Sequence, residues 1–570
     1  MSQGAQEPDI ERRLLLAIVL SMAILFVTPF IYQQLYPPPE QPPAIAEPES
    51  LSPPEPAQPF QPTDSVSSIE AEEPTPPPLE TVAVEGEAQE VTVENDQLIL
   101  TLDTRGGVIT SIQLKDYRDA AGGHLQLIPQ EPSGQPQLLS VRLTDELLDS
   151  IARSAVFRIE GDPPGALPAP ATLKLRFSAQ GLSLQKRISV PARGYDIGVL
   201  SAVQREGVDL SHRVYLGTGI GSLEKQSLGD FLYPSVAYHQ GGSVTRYYEG
   251  DLSSGAVQLE TGFHWAGIDS KYFAYFALGD GVFRSLRMES HPFQRSEGEA
   301  FALLGAELGV QGAAEFRLFA GPKQAEILTD IDPSLSGAID YGYVSVLVRP
   351  LLFCLKLLNE SIQNYGWSII TLTFLISLAL FPLRFKQMAS MQKMAALQPK
   401  LRSIQDKYKR LKRDDPRRQQ MNAEVMGLYK EHGVNPLGGC LPLLPQMPIL
   451  FAFYRMLDVS IELRDAPFMF WIQDLSKPDP YYITPIVMGL TMVAQQKMTP
   501  AVGDPAQRRL MMILPLVFTL FFLGFSSGLV LYFLFSNAFA MMFQFGLQKL
   551  KPELRPTLPA APKGKKGKTK

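Results

Sequence analysis

The chain has 570 residues, of which 45% are apolar and 19% are charged, and its formal net charge is −6. Its two cysteines, Cys354 and Cys440, both lie in apolar stretches, which disfavours a disulfide framework and a cysteine metal site. The six histidines are scattered, and no phosphate-binding glycine loop or zinc-protease motif occurs, so the sequence predicts no cofactor and no metal.

The first predicted element is an uncharged apolar segment, residues 14–31, which follows Arg12 and Arg13. Such a segment behind a basic flank is typical of a transmembrane helix whose N-terminus stays in the cytoplasm. A cleaved signal peptide is the alternative, but no clear small-residue cleavage site follows. Residues 1–36 are therefore predicted to form a short cytoplasmic end and an uncleaved anchor.

Residues 37–90 form a proline- and glutamate-rich stretch, with 15 prolines between positions 37 and 78. No lysine or arginine occurs between positions 14 and 104. This composition predicts an extended tether that buries no core. The lack of basic residues places it outside the cytoplasm.

Residues 91–332 alternate apolar and polar side chains in short runs separated by turn signals, such as Gly106-Gly107 and Gln180-Gly181. Period-two runs of this kind predict an antiparallel β-sandwich. A structural or docking domain is the favoured interpretation, and a sugar-binding module is the alternative. Residues 333–365 then predict an amphipathic helix at the membrane surface, with apolar residues on one face: Val344, Leu347, Leu351, Leu355, Leu358 and Ile362.

Further membrane spans are predicted at residues 367–383, 434–457 and 481–498. Residues 510–547 carry no charge, and one helix of that length would measure roughly 55 Å, well beyond the ~30 Å of hydrocarbon. Two spans joined by a turn at Gly524–Gly528 fit better. Six spans result, and residues 366–547 form a five-span core.

Loop charges set the predicted topology. Residues 384–430 carry 13 Lys or Arg against 4 Asp or Glu, whereas residues 459–480 carry two against four. The tail, residues 548–570, is also basic, so both termini are predicted to be cytoplasmic. Helical spacing within residues 384–433 predicts a cytoplasmic hairpin. Binding of RNA or of anionic lipid headgroups would explain the basic surface of this hairpin. The preference of basic loops for the cytoplasmic side explains it equally well.

The membrane half of the sequence offers two candidate functional features, a serine-hydrolase motif and a set of polar residues within the spans. The segment Gly524–Gly528 matches G-x-S-x-G with Ser526 as nucleophile, but the one histidine in this half, His432, falls at the opposite membrane face, so hydrolysis is disfavoured. Weak polar residues inside spans instead suggest a cavity open to the cytoplasm: Thr371, Thr373, Ser377, Asn435, Gln446, Tyr454, Gln495, Gln496, Tyr532, Ser536 and Asn537. The alternative is that these polar residues only form hydrogen bonds between neighbouring helices.

Three motifs carry a resemblance to a known family: "GVNPLGGCLPLLPQMPI", "ELRDAPFMFWIQDLSKPDPYYITPIVMG" and "SSGLVLYFLFSN". With the anchor, tether and large domain, they make the chain similar to the YidC/Oxa/Albino family of membrane protein insertases, of the Gram-negative type. The resemblance implies an α-helical polytopic membrane core, a periplasmic β-supersandwich and a location in the bacterial inner membrane. A small-solute transporter is the alternative function, but no inverted repeat supports it.

The resemblance further implies a non-enzymatic insertase and chaperone that works without nucleotide hydrolysis, alone or with the Sec translocon (SecYEG and SecDF). Its partners would be nascent membrane proteins, membrane lipids and the ribosome, the last through the basic tail and hairpin. A hydrophilic groove would open to the cytoplasm and the inner leaflet, and an apolar slide would lie along the third and fifth spans.

The implied groove residues are Thr373, Ser377, Arg384, Gln446, Tyr532 and Phe533. The implied slide residues are Leu444, Met447, Ile449, Leu450, Tyr454, Phe518, Phe521 and Phe522. The chain departs from the family at one position, because Ser377 stands where many members have a basic residue. Arg384 is the nearest basic residue, and Phe533 occupies a position that is often tyrosine, beside Tyr532.

Overall fold

A computed structural model describes residues 87–119, 122–130, 136–161, 165–220, 234–260, 262–294, 300–408, 417–433, 443–498 and 505–550. These residues belong to one compact unit, residues 84–570. The predicted anchor, most of the tether, the first residues of the predicted span 434–457 and most of the tail lie outside the described residues.

The first part of the described chain is built from β-strands, numbered here along the chain. Their bounds are β1 Glu90–Glu94, β2 Leu98–Asp103, β3 Val108–Arg118, β4 His124–Gln126, β5 Val141–Arg142, β6 Arg158–Glu160, β7 Ala166–Pro168, β8 Ala171–Ala179, β9 Leu182–Val190, β10 Asp196–Arg205, β11 Val208–Asp209, β12 Ser211–Thr218, β13 Ser235–Gln240, β14 Ser243–Tyr248, β15 Val257–Leu259, β16 Trp265–Asp269, β17 Phe273–Leu278, β18 Phe283–Gln294, β19 Ala300–Gln311 and β20 Ala314–Pro322.

These strands form three sheets that are almost entirely antiparallel. The largest runs β14-β13-β16-β17-β20-β10-β9-β8-β6, with β11 paired to β10. Two smaller sheets run β4-β3-β2-β1-β7 and β15-β18-β19-β12-β5. Alternate residues of β9 are buried, as the period-two pattern predicts. Large side chains such as Trp265, Phe276 and Phe319 fill the core, so the predicted β-sandwich is confirmed.

The helices follow mainly after the last strand. Their bounds are α1 Glu146–Ser154, α2 Glu249–Leu252, α3 Ala325–Ile331, α4 Ser345–Ile362, α5 Tyr365–Ala379, α6 Phe381–Ala396, α7 Gln398–Tyr408, α8 Arg417–Glu431, α9 Leu443–Val459, α10 Ile483–Met498, α11 Pro505–Phe522 and α12 Ser527–Leu550.

Among the described helices, two segments are long and apolar enough to cross a membrane singly, Gly342–Ile362 and Ser527–Lys549. The pair α5 and α6 passes the same test together, although the two are bent by 57°. The bend follows from Pro382, which lacks an amide donor and disfavours helical geometry in the residue before it. The first of these segments contains α4, which has apolar side chains on both its buried and its exposed sides, including Val348 and Phe353.

Helices α10 and α11 approach closely at Gly489. A Cβ atom there would lie 2.0 Å from the Thr519 hydroxyl oxygen, so no larger residue fits without a shift. Small residues at such crossings are characteristic of membrane helix packing. The α8 helix packs on α7, where Lys407 and Tyr408 both contact Glu424.

The sandwich interior contains a polar cluster around Lys186, which lies in the buried row of β9. Its amine donates to the carbonyl oxygens of Gly106, Gly107 and Leu139 at 2.7–2.9 Å. Nearby, His212 is 3% exposed; its Nε2 is 2.9 Å from the Ser201 hydroxyl and its Nδ1 is 3.3 Å from the Leu210 carbonyl oxygen. Since a carbonyl only accepts, Nδ1 carries the proton and Nε2 accepts from Ser201.

His212 predicts acid sensitivity of the domain. Burial lowers its pKa from 6.5 to about 4, with Lys186 adding to the effect against the Leu210 hydrogen bond. Between these pH values the unfolded chain binds a proton that the folded chain does not. Stability should therefore be complete above pH 6.5 and fall by about 3 kcal/mol as the pH drops towards 4.

The measurement is thermal unfolding of the detergent-solubilised full chain from pH 7 to pH 4. The substitution His212→Gln, which cannot titrate, should flatten much of the pH dependence. His124→Gln, in the partly exposed strand β4, is the matched control and should leave it unchanged. A pH profile that His212→Gln does not alter would contradict the assignment.

Candidate functional site

An aromatic cluster joins helices α9, α11 and α12. The rings of Phe453 and Tyr532 stack with centroids 4.1 Å apart, and Phe522 meets Phe533 at 4.7 Å. The residue Phe525, between α11 and α12, lies 5.2 Å from the ring of Phe522. Offset and edge contacts of this kind add to the free energy of apolar burial. The cluster therefore ties residues of the predicted slide to residues of the predicted groove.

The residues of the predicted slide differ in exposure. Phe522 is 5% exposed and Phe521 39%, while the others with a described environment are half-buried: Met447, Ile449, Leu450, Tyr454 and Phe518. Leu444 lies in α9, but its side chain is outside the described part. The ring centroids of Tyr454 and Phe525 are 6.3 Å apart. Phe525 was not among the predicted site residues, because a phenylalanine in a turn carries no periodic signal.

Two residues of the predicted groove, Thr373 and Ser377, lie in α5 and are 1% and 2% exposed. The Thr373 hydroxyl donates to the Ile369 carbonyl oxygen of its own helix at 2.6 Å. Helix α5 packs along α12, where the ring centroids of Phe374 and Phe539 are 5.2 Å apart. Both polar side chains are thus enclosed within the bundle.

Arg384 lies in the first turns of α6, just beyond the bend, and is half-buried. Its guanidinium lies in the neighbourhood of Tyr532, which is 3% exposed. Its Nη1 is buried and has no hydrogen-bond partner within the described chain. Asn537 Nδ2, in α12, is a second buried donor in the same condition. Gln446 and Phe533 are half-buried.

Buried donors without acceptors are rare because each one forfeits the hydration that it had in water. A cationic donor is more expensive still unless water or an anionic group reaches it. The Arg384 donor therefore marks a position suited to water or to a polar peptide. The described residues contain no group of three or more His, Cys, Asp or Glu side chains placed to hold a metal ion.

A second constellation connects the sandwich with the end of α9. The Lys271 amine, between β16 and β17, lies 2.7 Å from Asp458 Oδ1. The Arg455 Nη1 lies 3.4 Å from Asp458 Oδ2, and its Nη2 donates to the Asp340 carbonyl oxygen at 2.7 Å. Burial alone would raise the pKa of Asp340, but Arg246 and Arg455 outweigh it and hold that pKa below its usual value.

Two more cations complete this contact. The Arg464 Nη2 donates to the Arg118 carbonyl oxygen at 3.1 Å, and its guanidinium sits over the Phe273 ring at 5.2 Å. The Lys356 amine of α4 bridges Glu326 at 2.8 Å and Glu462 at 2.6 Å. This network was not predicted, although the charges at positions 455 and 458 within an apolar helix were a usable signal.

Comparison with known proteins places both halves of the chain. Residues 90–354 match the family model described as YidC periplasmic domain, and residues 357–553 match that described as 60Kd inner membrane protein. A protein of Geobacter metallireducens named membrane protein insertase YidC is 35% identical over 552 residues, covering 95% of this chain and 98% of its own. One of the same name from Cupriavidus necator is 34% identical, covering 82% and 84%.

Solved structures give looser matches. A crystal structure of an active YidC insertase with its first transmembrane domain resolved superposes with a TM-score of 0.36 at 18% identity, covering 80% of this chain and 93% of its own. The YidC structure of Thermotoga maritima gives a TM-score of 0.27 at 13% identity, covering 80% and 98%.

Proposed function

Because the chain belongs to the YidC family of membrane protein insertases, we propose that it passes the polar part of each client through a hydrophilic groove in its helical core. The chain is an inner-membrane insertase with a periplasmic β-sandwich domain, and its substrates are nascent membrane proteins. This family is one of insertases and not of a known enzyme class.

The groove proposal is supported above all by the unpaired Nη1 of Arg384. Thr373, Ser377, Gln446, Tyr532 and Phe533 form the rest of the groove. Water, or a carbonyl or carboxylate group of a client, supplies the acceptor that this donor lacks. A hydrated route lowers the free energy of moving polar peptide into the membrane, since the peptide keeps hydrogen-bond partners on the way.

The apolar part of a client leaves the groove along α9 and α11. The aromatic cluster around Phe522 and Tyr532 supports this route, since its ring contacts run without a break from Tyr532 and Phe533 to the exposed Phe521. Flexible and aromatic side chains suit clients of varied sequence. Met447, Leu450 and Tyr454 on α9 provide the facing side.

In this proposal the chain crosses the membrane six times, both termini are cytoplasmic, and residues 384–433 form a cytoplasmic helical hairpin. The basic excess of residues 384–430 supports the orientation. Cooperation with the Sec translocon (SecYEG and SecDF), and ribosome contact through the basic hairpin and tail, are part of the same proposal. Helix α4 lies on the outer membrane surface and contacts lipid.

The proposal is tested by depletion. A strain in which this chain is the sole insertase is depleted of it, and insertion of a short Sec-independent client is followed by protease accessibility. Insertion should fall at least about tenfold, because the client's polar segment loses its hydrated route. A secreted, Sec-dependent protein is the control and should be affected far less.

Re-expression completes the design. The wild-type chain should restore insertion, whereas a chain lacking residues 510–547 should not. Normal client insertion throughout depletion would remove the proposed function.

A further inference from the structure

An exposed aromatic patch lies between α9 and α10. It consists of the exposed residues Met469, Phe470, Tyr481 and Tyr482 around the half-buried Trp471, and Phe470 and Tyr481 are 75% and 66% exposed. The ring of Trp471 contacts both, with Phe470 and Trp471 centroids 5.9 Å apart and Trp471 and Tyr481 centroids 6.3 Å apart. Contiguous exposed apolar surface of this kind marks a site of interaction.

The loop that carries the patch is held in one conformation. The Asp479 carboxylate is buried and accepts hydrogen bonds from Trp471 Nε1 at 2.9 Å and from the Tyr481 and Thr484 amides at 2.9 and 2.7 Å. Phe470 and Tyr482 have φ values of 55° and 57°, which are unfavourable for bulky residues. Backbone strain of this sort persists where the surrounding structure enforces it. The aromatic side chains are thus presented to the exterior by construction.

Contacts with the sandwich place the patch on the periplasmic side. Arg464, which precedes the patch, donates to the Arg118 carbonyl oxygen of β3, and Asp458 pairs with Lys271. Both partners belong to the residues that match the YidC periplasmic domain. The patch therefore lies at the outer ends of α9 and α10.

The patch continues into the exposed face of α10. Ile483, Ile486, Val487 and Leu490 follow Tyr482 at helical spacing and are 40%, 50%, 39% and 64% exposed. An exposed row of wholly apolar side chains on a membrane helix faces acyl chains. Tyrosine and tryptophan at the end of such a row prefer the level where acyl chains meet headgroups.

We propose that residues 469–482 are an interfacial anchor that inserts the aromatic patch at the headgroup level of the outer leaflet. This goes beyond the proposed groove and does not depend on it.

The chain's three tryptophans, Trp265, Trp367 and Trp471, make a direct test possible. The variant Trp367→Phe keeps Trp471 as reporter together with Trp265, which is fully buried in the sandwich. The double variant W367F/W471F keeps Trp265 alone and is the matched control. Each full chain is reconstituted in vesicles of phosphatidylcholine brominated either near the carbonyl end or near the methyl end of the acyl chain.

The Trp471 signal, taken as the difference between the two variants, should be quenched about twofold by bromine near the carbonyl end and less by bromine near the methyl end. It should resist iodide in the aqueous phase, and the Trp265 signal should not respond to either lipid. Quenching by iodide without quenching by bromine would place the patch in water. No quenching by either would mean that protein covers it, and stronger quenching near the methyl end would place it too deep. Each of these three results overturns the proposal.

Discussion

Replacing Arg384 by leucine is expected to reduce, about tenfold or more, the insertion of clients whose translocated segment carries acidic residues. A hydrogen bond to a charged group contributes about 1.5–3 kcal/mol, and 1.4 kcal/mol corresponds to a factor of ten. The half-buried Arg384 has a donor, Nη1, with no partner in the described chain, so a client carboxylate gains the full interaction. Clients with neutral segments should lose much less.

The measurement is insertion into proteoliposomes, scored by protease protection, for a pair of clients that differ only in two acidic residues. Arg384→Lys should retain much of the selectivity, since it keeps the charge. Lys386→Leu removes the same charge from an exposed position of the same helix and is the matched control. Equal losses for both clients would argue against a carboxylate contact at Arg384.

This prediction follows from the position of Arg384 relative to Ser377. The serine is 2% exposed within the packing of α5, where a long cationic side chain has little room. The arginine lies beyond the bend between α5 and α6, near the Tyr532 hydroxyl. In the proposed groove the positive charge thus comes from the start of α6, which would explain how a serine is tolerated at position 377.

The sequence predicted the fold class because its patterns are local. Alternation in β9 and uncharged runs such as that of α12 are visible within ten to twenty residues, and a β-sandwich beside a helical membrane core is confirmed. The hydrogen-bond partners of a buried residue, in contrast, can lie far from it in the sequence. Lys186 falls in the buried row of β9, and its three acceptor carbonyls come from loops 47 to 80 residues away. No pattern in β9 identifies them.

The same contrast between local signals and fold-dependent contacts holds for the candidate site. Polar residues such as Tyr532 could be picked out because tyrosine in an apolar run is unusual, but its stacking on Phe453 depends on how α9 meets α12. One span was predicted over residues 367–383, whereas the 57° bend between α5 and α6 within it appeared only in the packed helices. Asp458 gave a local signal, a carboxylate in an apolar helix, and only the folded chain identifies Lys271 as its partner.

Asp458 carries the second large effect that we expect. Asp458→Leu removes a 7%-exposed carboxylate that Lys271 and Arg455 share, while both cations stay largely buried. Removing one partner of a buried ion pair is destabilising by about 3–5 kcal/mol. The thermal midpoint of the purified full chain, followed by tryptophan fluorescence, should fall by roughly 10 °C. Lys477→Met, at a 53%-exposed side chain paired with Asp474, is the control and should change little.

The double variant K271M/D458L distinguishes the effect of leaving a buried charge unpaired from the effect of altered side-chain packing. Replacing both partners with apolar residues of similar volume removes the desolvation penalty together with the attraction, so it is often close to neutral. Arg455 keeps its hydrogen bond to the Asp340 carbonyl oxygen, which limits the damage. The double variant should therefore melt above Asp458→Leu alone. If it instead melts lower, by the sum of the two single effects, then Lys271 and Asp458 act independently, and the sandwich is held on α9 by Arg464 and Lys356 rather than by this pair.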